Sequence, residues 1–206
     1  LVELVSGESR ITVIRSDNNL GAGVARNAGV DVASGEYLTF IDSDDCWEPH
    51  FLESFVKISQ NYSNCAFYGG YLLCNSEGKV LSQVIPTADH NQMNILAGCQ
   101  MSLTSIFIKK QCKDIVARFG DIRKRNDLVF FYYLLGEMPV HKVNCIMSHY
   151  RVRRDSLSRN KLSLFWYQWV VCRKVAGLSI IKSSTSTLLW AMKGFLKYLK
   201  ISGTKK

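Results

Sequence analysis

At 206 residues, the chain is long enough for one sizeable domain with its own core. Its 47% hydrophobic and 21% charged residues exclude bulk disorder, and no apolar run reaches the roughly 18 to 20 residues of a membrane-spanning helix. The formal net charge of +9 indicates an anionic partner, such as a phosphorylated substrate, an anionic lipid or a nucleic acid. The 7 scattered cysteines show no C-x-x-C spacing, which favours reduced thiols in a cytosolic compartment.

The first part of the chain has the pattern of a strand, a helix and a second strand. Residues 10–15 have strand composition and end at a polar turn. Gly21 and Gly23 then open a helix that runs to Ala33, and residues 37–41 form an apolar run of strand type. Such a βαβ unit predicts parallel pairing, with ligands gathering at the carboxyl ends of the strands.

An acidic run, D-S-D-D at residues 42–45, follows directly after the second predicted strand. Like charges packed this tightly repel one another, and burying them is costly unless a positive charge lies between them. A hard cation such as Mg²⁺ or Mn²⁺ would satisfy them, because it takes oxygen ligands and keeps positions open for substrate phosphates. Taken alone, the run is better interpreted as an acidic turn that faces water, and the sequence around it favours the metal site.

The middle of the chain alternates between helix and strand patterns. We expect a helix from Glu48-Pro49 to Asn61, a short helix at residues 91–97 and a buried aromatic helix at residues 128–135. We expect strands at residues 66–74, 80–84, 103–108 and 140–147, with the first two of these strands forming a hairpin. The sequence therefore predicts an α/β domain over residues 1–160.

Residues 161–206 differ in composition and predict a basic helical tail. Two helices, residues 162–176 and 187–199, are separated by Gly177 and a serine-rich linker at residues 183–186. Their polar faces are almost wholly basic, and their aromatic residues suit the interface of an anionic membrane. The alternative is a helical layer over the domain with a solvated basic face. The basic residues of the two helices are Arg173, Lys174, Lys193, Lys197 and Lys200, and their aromatic residues are Trp166, Tyr167, Trp169, Trp190, Phe195 and Tyr198.

Three segments together resemble glycosyltransferase family 2: N-L-G-x-G-x-A-R-N-x-G at residues 19–29, A-S-G-E-Y at residues 33–37 and F-I-D-S-D-D-x-W at residues 40–47. The resemblance implies the GT-A fold, a Rossmann-like mixed sheet flanked by helices, and transfer of a sugar from a nucleotide-sugar donor. I-R-K-R-N-D at residues 122–127 is similar to the segment that carries the family's catalytic base. Many members have Glu-Asp where this chain has Asn126-Asp127, but a bacterial polysaccharide subset has Arg-Asn-Asp. Residues 150–152 and 156–158 resemble the substrate-covering segment of bacterial O-antigen and capsule enzymes.

The resemblance implies a role for each residue of these segments. Asp127 is the expected general base, although the cap of the following helix is an alternative for it. Asp44 and Asp42 are the expected ligands of Mn²⁺ or Mg²⁺. The expected substrate-binding residues are Asn19, Arg26, Asn27, Asp42, Ser43, Asp45, Arg151 and Arg154. Helix contacts for Arg26 and Asn27, and a solvated basic loop for His149, Arg151, Arg153 and Arg154, stay open as alternatives.

These roles together predict an inverting, metal-dependent transferase. It would move glucose or galactose from a UDP-sugar to an undecaprenyl-diphosphate-linked saccharide in O-antigen or capsule synthesis, at the inner face of the cell membrane. The N-terminal βαβ portion that the family pattern begins with does not precede Arg10, so we expect an N-terminally incomplete chain. The alternative is an inactive truncated fragment that acts only as a membrane-associated protein. Nucleic-acid binding is disfavoured, because the basic helices carry no known nucleic-acid motif.

Overall fold

The computed structural model describes residues 8–111, 114–152 and 161–203, but not the side chains of residues 161 and 197–203. Its helices are α1 Ala22–Val32, α2 Phe51–Ser59, α3 Asn126–Glu137, α4 Lys161–Val170 and α5 Ile180–Gly203. Its strands are β1 Tyr37–Thr39, β2 Cys46–Trp47, β3 Cys65–Cys74, β4 Val80–Val84, β5 Ile106–Lys109 and β6 Val140–Arg151. Short 3₁₀ turns cover Asn94–Ala97 and Leu103–Ser105, and a π-helical turn, Val171–Val175, extends α4.

One mixed sheet with the order β1-β5-β3-β6-β2 forms the centre of the described chain, and β4 pairs with one end of β3. β3 and β6 are parallel, whereas β5 is antiparallel to both β1 and β3. Consequently β1, β3 and β6 run in the same direction, and their carboxyl ends lie at one edge. Gly70 of β3 is required here, because a Cβ atom would lie 2.7 Å from the Val84 carbonyl oxygen.

The two faces of the sheet bury separate cores, as the period-two alternation of strand side chains dictates. Ala66, Tyr68 and Ile106 face a large core that includes α3 and its buried Phe130. Phe67 and Phe107 face the other side and pack with α2 in a smaller aromatic core. α3 is apolar around most of its circumference because it is covered on nearly all sides.

The predicted first strand, residues 10–15, is wrong. These residues are described but form no strand, and Ile11, Val13 and Ile14 are 47–48% exposed. A strand needs a partner for its backbone hydrogen bonds, and none of the described strands pairs with this segment. The βαβ pairing predicted from it is therefore also absent from the described sheet, whose parallel pair is β3 and β6.

The serine-rich linker predicted at residues 183–186 is also wrong, because these residues lie inside α5. The Thr187 hydroxyl donates to the Ser183 carbonyl at 2.7 Å, and the Thr185 hydroxyl donates to the Ile181 carbonyl at 3.1 Å. Such back-bonding satisfies the hydroxyl groups within the helix. The break lies instead at Gly177, whose φ of +64° takes the left-handed conformation typical of a helix end.

The remaining predicted elements are confirmed with small shifts. The hairpin of β3 and β4, helix α2 and strand β6 lie where the pattern places them, and β6 continues to Arg151. The helix predicted at residues 91–97 is the 3₁₀ turn Asn94–Ala97. The strand predicted at residues 103–108 begins as the turn Leu103–Ser105 before β5.

Candidate active site

The acidic run forms a tight turn at the carboxyl end of β1, as predicted. The Asp45 backbone N–H donates to the Asp42 carbonyl at 3.0 Å, and the chain then enters β2, which pairs with Ser148 and His149 of β6. Ser43 is exposed, whereas Asp42 and Asp44 are half-buried. The turn therefore lies at the edge where the carboxyl ends of β1, β3 and β6 meet, which is where α/β sheets bind ligands.

Asp45 is the buried member of the turn, with 8% of its surface exposed. One carboxylate oxygen accepts the Thr104 hydroxyl at 2.5 Å, and the other accepts the Arg151 backbone N–H at 2.9 Å. Burial raises the pKa of the Asp45 carboxyl, and the charges of Asp42 and Asp44 add to that shift. Asp45 therefore anchors the turn to β6, while its predicted role toward the sugar stays a prediction.

Arg26 of α1 links the acidic turn to the start of α3. Its guanidinium lies 2.6 Å from Asp42 and donates to the Asn126 side-chain oxygen at 3.2 Å. It also lies over the Phe119 ring, 5.4 Å from the ring centroid. With its side chain only 19% exposed, Arg26 balances part of the negative charge of the turn. The structure thus brings two predicted site residues, Arg26 and Asp42, into direct contact.

Asn27 and Asn19 have local structural partners. The Asn27 side-chain amide donates to the Phe119 carbonyl at 2.8 Å, and its oxygen accepts the Phe119 N–H at 2.9 Å. The Asn19 side-chain oxygen accepts the Gly21 N–H at 3.1 Å. These contacts match the helix-contact alternative for Asn27, and its role toward the nucleotide stays a prediction.

A cavity of about 440 Å³ lies between the start of α1 and the loop before α3. Residues 19–24, residues 120–123 and Asn126 line it. The two walls approach closely at Gly23, where a Cβ atom would lie 2.7 Å from the Gly120 carbonyl oxygen. The glycine-containing motif therefore places its backbone beside the loop that leads to Asp127.

Asp127 lies in the first turn of α3 and is half-buried. The alternative of a helix cap is wrong for Asp127, because the N-cap residue is Arg125 and no side chain caps the helix. Burial raises the pKa of Tyr150 to about 12, and the charges of Asp45, Asp127, Asp42 and Asp44 contribute. Asp127 and the carboxylates of the acidic turn thus all act electrostatically on Tyr150.

Arg125 holds the start of α3 against the C-terminal helices. Its backbone takes a left-handed φ of +67°, and its guanidinium donates to the side-chain oxygen of Gln168 at 2.9 and 2.5 Å. The fully buried Gln168 in turn donates to the Leu96 carbonyl at 2.7 Å. The Arg125 guanidinium also lies 5.2 Å from the ring centroid of Trp190. The sequence interpretation missed these contacts, although Gln168 as the one amide in an apolar helix was a usable indication.

The basic residues that end β6 and follow it, from His149 to Arg154, are described only in part. His149, within β6, donates its ring N–H to the Glu48 carboxylate at 2.8 Å, and Arg151 ends β6 beside Asp45. Arg153 and Arg154, both named from the sequence, lie outside the described residues, as do residues 156–158.

The carboxylates of the acidic turn fit a hard divalent cation whose remaining coordination positions would be taken by substrate phosphates and water. Asp42 and Asp44 offer carboxylate oxygens on one turn, and one Asp42 oxygen is engaged by Arg26. Across the described residues, no group of three or more His, Cys, Asp or Glu side chains is arranged to hold a metal. Mg²⁺ and Mn²⁺ sites with one or two protein carboxylates, completed by phosphates and water, are a common type.

The family description "Glycosyl transferase family 2" matches residues 1–124, which is more than half of the 206-residue chain. This chain belongs to glycosyltransferase family 2. The resemblance drawn from residues 19–47 is thereby confirmed.

Individual relatives agree with this assignment. An "Uncharacterized glycosyltransferase" of Haemophilus influenzae is 27% identical over 202 residues, covering 96% of this chain and 79% of the relative. The Escherichia coli protein named "UDP-Glc:alpha-D-GlcNAc-diphosphoundecaprenol beta-1,3-glucosyltransferase WfgD" is 28% identical over 167 residues. That alignment covers 80% of this chain and 64% of the relative.

Among solved structures, the crystal structure of S. aureus TarS 1–349 in complex with UDP-GlcNAc is similar to this family 2 chain. It gives a TM-score of 0.58 at 16% identity, covering 92% of this chain and 58% of that one. A likeness at this level of identity shows the fold, which is the predicted GT-A arrangement of a mixed sheet between helices.

Proposed function

We propose that this family 2 chain is the transferase of an inverting, metal-dependent sugar transfer from a UDP-sugar to a polyprenyl-diphosphate-linked saccharide. The carrying observation is that Arg26 joins Asp42 of the acidic turn, at 2.6 Å, to Asn126, the residue before Asp127, at 3.2 Å. This contact supports a proton acceptor at Asp127 and a diphosphate-binding end at the acidic turn in one site. The sugar is a hexose, glucose or galactose, and the product belongs to a bacterial surface polysaccharide such as O-antigen or capsule.

The donor lies at the acidic turn in this proposal. Departure of the nucleoside diphosphate builds negative charge, which a Mn²⁺ or Mg²⁺ ion held by Asp44 and Asp42 would stabilise electrostatically. Arg26 adds a positive charge within the same site through its contact with Asp42. The cavity of about 440 Å³ beside Asn19 and Asn126 offers room for the nucleoside end. Ser43, which is exposed on the turn, would contact the donor in this proposal.

The acceptor is deprotonated by Asp127 in this proposal. A base must reach the attacking hydroxyl within hydrogen-bond distance, and direct attack on the anomeric carbon inverts its configuration. The name of the relative WfgD supports this assignment, because it describes a β-linked product made from UDP-Glc, an α-linked donor. The same name supports a diphosphoundecaprenol-linked acceptor.

The test is a transfer assay with the full chain, radiolabelled UDP-glucose or UDP-galactose, Mn²⁺ and α-GlcNAc-diphosphate carrying a short alkyl chain. We expect transfer from one of the two donors and a β-linkage in the product by NMR. Calorimetry with UDP distinguishes the proposed transferase from the competing hypothesis of an inactive membrane-associated fragment. Absence of both UDP binding and transfer in the presence of Mn²⁺ would favour that alternative.

The C-terminal helices carry a surface that suits the membrane on which a lipid-linked acceptor resides. We propose that this surface, defined by Trp166 of α4 and Ile181, Leu188, Met192 and Phe195 of α5, rests on anionic lipid. Trp166 and Phe195 are 61% and 62% exposed, and spacings of seven, four and three residues place the four α5 members on one stripe. Exposed apolar area of this extent marks an interaction surface, and flanking lysines favour anionic headgroups. Within the described residues, no helix is long and apolar enough to cross a membrane.

Sedimentation with anionic phospholipid vesicles measures lipid binding by this surface. Trp166→Ser combined with Phe195→Ser is expected to weaken vesicle binding about 10- to 100-fold, because two large apolar side chains no longer enter the interface. Leu52→Ser is the matched control, since Leu52 is 50% exposed on α2, which covers the other face of the sheet. Equal vesicle binding by the double variant and the control would contradict the assignment.

A further inference from the structure

A second cavity, of about 670 Å³, lies between α5 and the segment that follows β4. Its wall combines aromatic, amide and basic groups, namely Tyr71, His90, Gln100, Trp190, Lys193 and Gly194. Aromatic faces beside hydrogen-bonding groups are the lining that suits a sugar ring, whose faces are apolar and whose edge is polar. None of the roles given above uses this cavity.

Two aromatic residues of the cavity lining, Tyr71 and Trp190, contact residues that neighbour the proposed site in the chain. Tyr71 in its wall packs against Tyr150, with ring centroids 6.2 Å apart, and Tyr150 precedes the residue that binds Asp45. Trp190 in the opposite wall lies under the Arg125 guanidinium, two positions before Asp127. The Asp127 charge also raises the pKa of Tyr71 and of Cys99, which lines the cavity, although burial is the larger cause for both.

Lys193 supplies positive charge to this wall. Burial lowers the pKa of His90, and its ring accepts the Gln100 N–H at 3.1 Å. No ion pair of Lys193 is found with the side chains that the structure describes, and its Nζ atom lies near the Gly98 backbone. Asp89 brings a negative charge to the same lining, but it accepts the Lys142 N–H at 3.4 Å.

We propose that this cavity is the acceptor site, in which Tyr71 and Trp190 contact the acceptor sugar and Lys193 binds the diphosphate attached to it. The assignment rests on the proposed function and deepens it, because it names the surface that selects a sugar diphosphate. The acceptor hydroxyl then faces Asp127, while the donor lies on the far side of Tyr150. Helix α5 therefore serves both substrate recognition and the packing of the domain.

Lys193→Met tests the charge, because methionine keeps an aliphatic stem and removes the ammonium group. With α-GlcNAc-diphosphate-octyl as acceptor, we expect the acceptor KM to rise about tenfold or more. With neutral α-GlcNAc-octyl, the KM should match that of the wild type, and UDP-glucose hydrolysis without acceptor should not change. Lys182→Met, an exposed site on the same helix, is the control. Equal KM values for Lys193→Met and wild type with the diphosphate acceptor would overturn the role of Lys193.

Gly194→Leu tests the location without removing any contact. A Cβ atom at Gly194 meets no other atom within 4 Å, so a larger side chain extends into open space at the cavity lining. We expect kcat/KM for the acceptor to fall more than about tenfold by steric exclusion, with donor hydrolysis and melting temperature retained. Gly194→Ala, which favours the helix but adds little volume, should behave as wild type. Normal transfer by Gly194→Leu would contradict the location of the acceptor site and leave the proposed function intact. A wild-type chain that neither binds UDP nor transfers sugar would contradict the proposed function itself.

Discussion

Replacing Asp127 with asparagine is expected to lower kcat for sugar transfer by about 100- to 10 000-fold, the range that a general base contributes. Asparagine has nearly the same shape but cannot accept the proton of the attacking hydroxyl. The residue lies in the first turn of α3, where a negative charge is favoured by the helix dipole, so a small loss of stability of about 0.3–1 kcal/mol accompanies the change.

The assay distinguishes an effect on the acceptor reaction from an effect on binding of the UDP-sugar. UDP affinity by calorimetry and the KM for the UDP-sugar should stay close to wild type, because Asp127 belongs to the acceptor side. Asp31→Asn is the control, since its exposed carboxylate on α1 pairs only with Arg118 at 3.3 Å among the described contacts. Transfer at the wild-type rate by Asp127→Asn would remove the residue from the role of base.

Replacing Asp44 with asparagine is expected to lower kcat/KM for the UDP-sugar by about 100- to 1000-fold, through loss of a charged metal ligand. Asp42→Asn should have a second effect besides weaker metal binding, because one Asp42 oxygen is engaged by Arg26 at 2.6 Å. Its loss would leave the half-buried Arg26 guanidinium without its carboxylate. In the proposal, Asp44 and Asp42 both bind the metal, Asp42 also binds Arg26, and Asp45 anchors the turn.

Mn²⁺ titrations monitored by calorimetry, with and without UDP, measure this metal binding. The Asp44 variant should bind UDP equally weakly with Mn²⁺ and with a chelator, whereas the wild type should bind it much more tightly with Mn²⁺. Glu53→Gln, an exposed carboxylate on α2, controls for the loss of one negative charge. A Mn²⁺-dependent increase in UDP affinity that is as large in Asp44→Asn as in the wild type would falsify the metal assignment.

Local elements followed from the sequence where their determinants are neighbours in the chain. The acidic turn after β1, the helix opened by Gly21 and Gly23, and the hairpin of β3 and β4 depend on a few consecutive residues. The family assignment is of the same kind, since its motifs occupy residues 19–47. The division at residue 160 stays a prediction, because residues 153–160 lie outside the described part of the chain.

Elements that depend on distant partners did not follow from the sequence. Residues 10–15 have strand composition, but composition cannot provide the neighbouring strand that their backbone groups require. Residues 183–186 have linker composition, but α5 satisfies hydroxyls in this region through its own carbonyls. In both cases the tertiary environment overrode the local preference.

The sequence by itself determined the chemistry of the site: carboxylates at a strand end, an arginine and glycines beside them, and an aspartate at the start of a buried helix. Only the tertiary structure decided which carboxylate is buried. Thr104 and Arg151, which are far apart in the chain, both donate hydrogen bonds to the Asp45 carboxylate. It also decided that Arg125 is held by Gln168 and Trp190, and that Tyr71 and Lys193 share one cavity. Burial and cavities arise from surfaces brought together across the chain, and the spacing of residues along the chain does not contain that information.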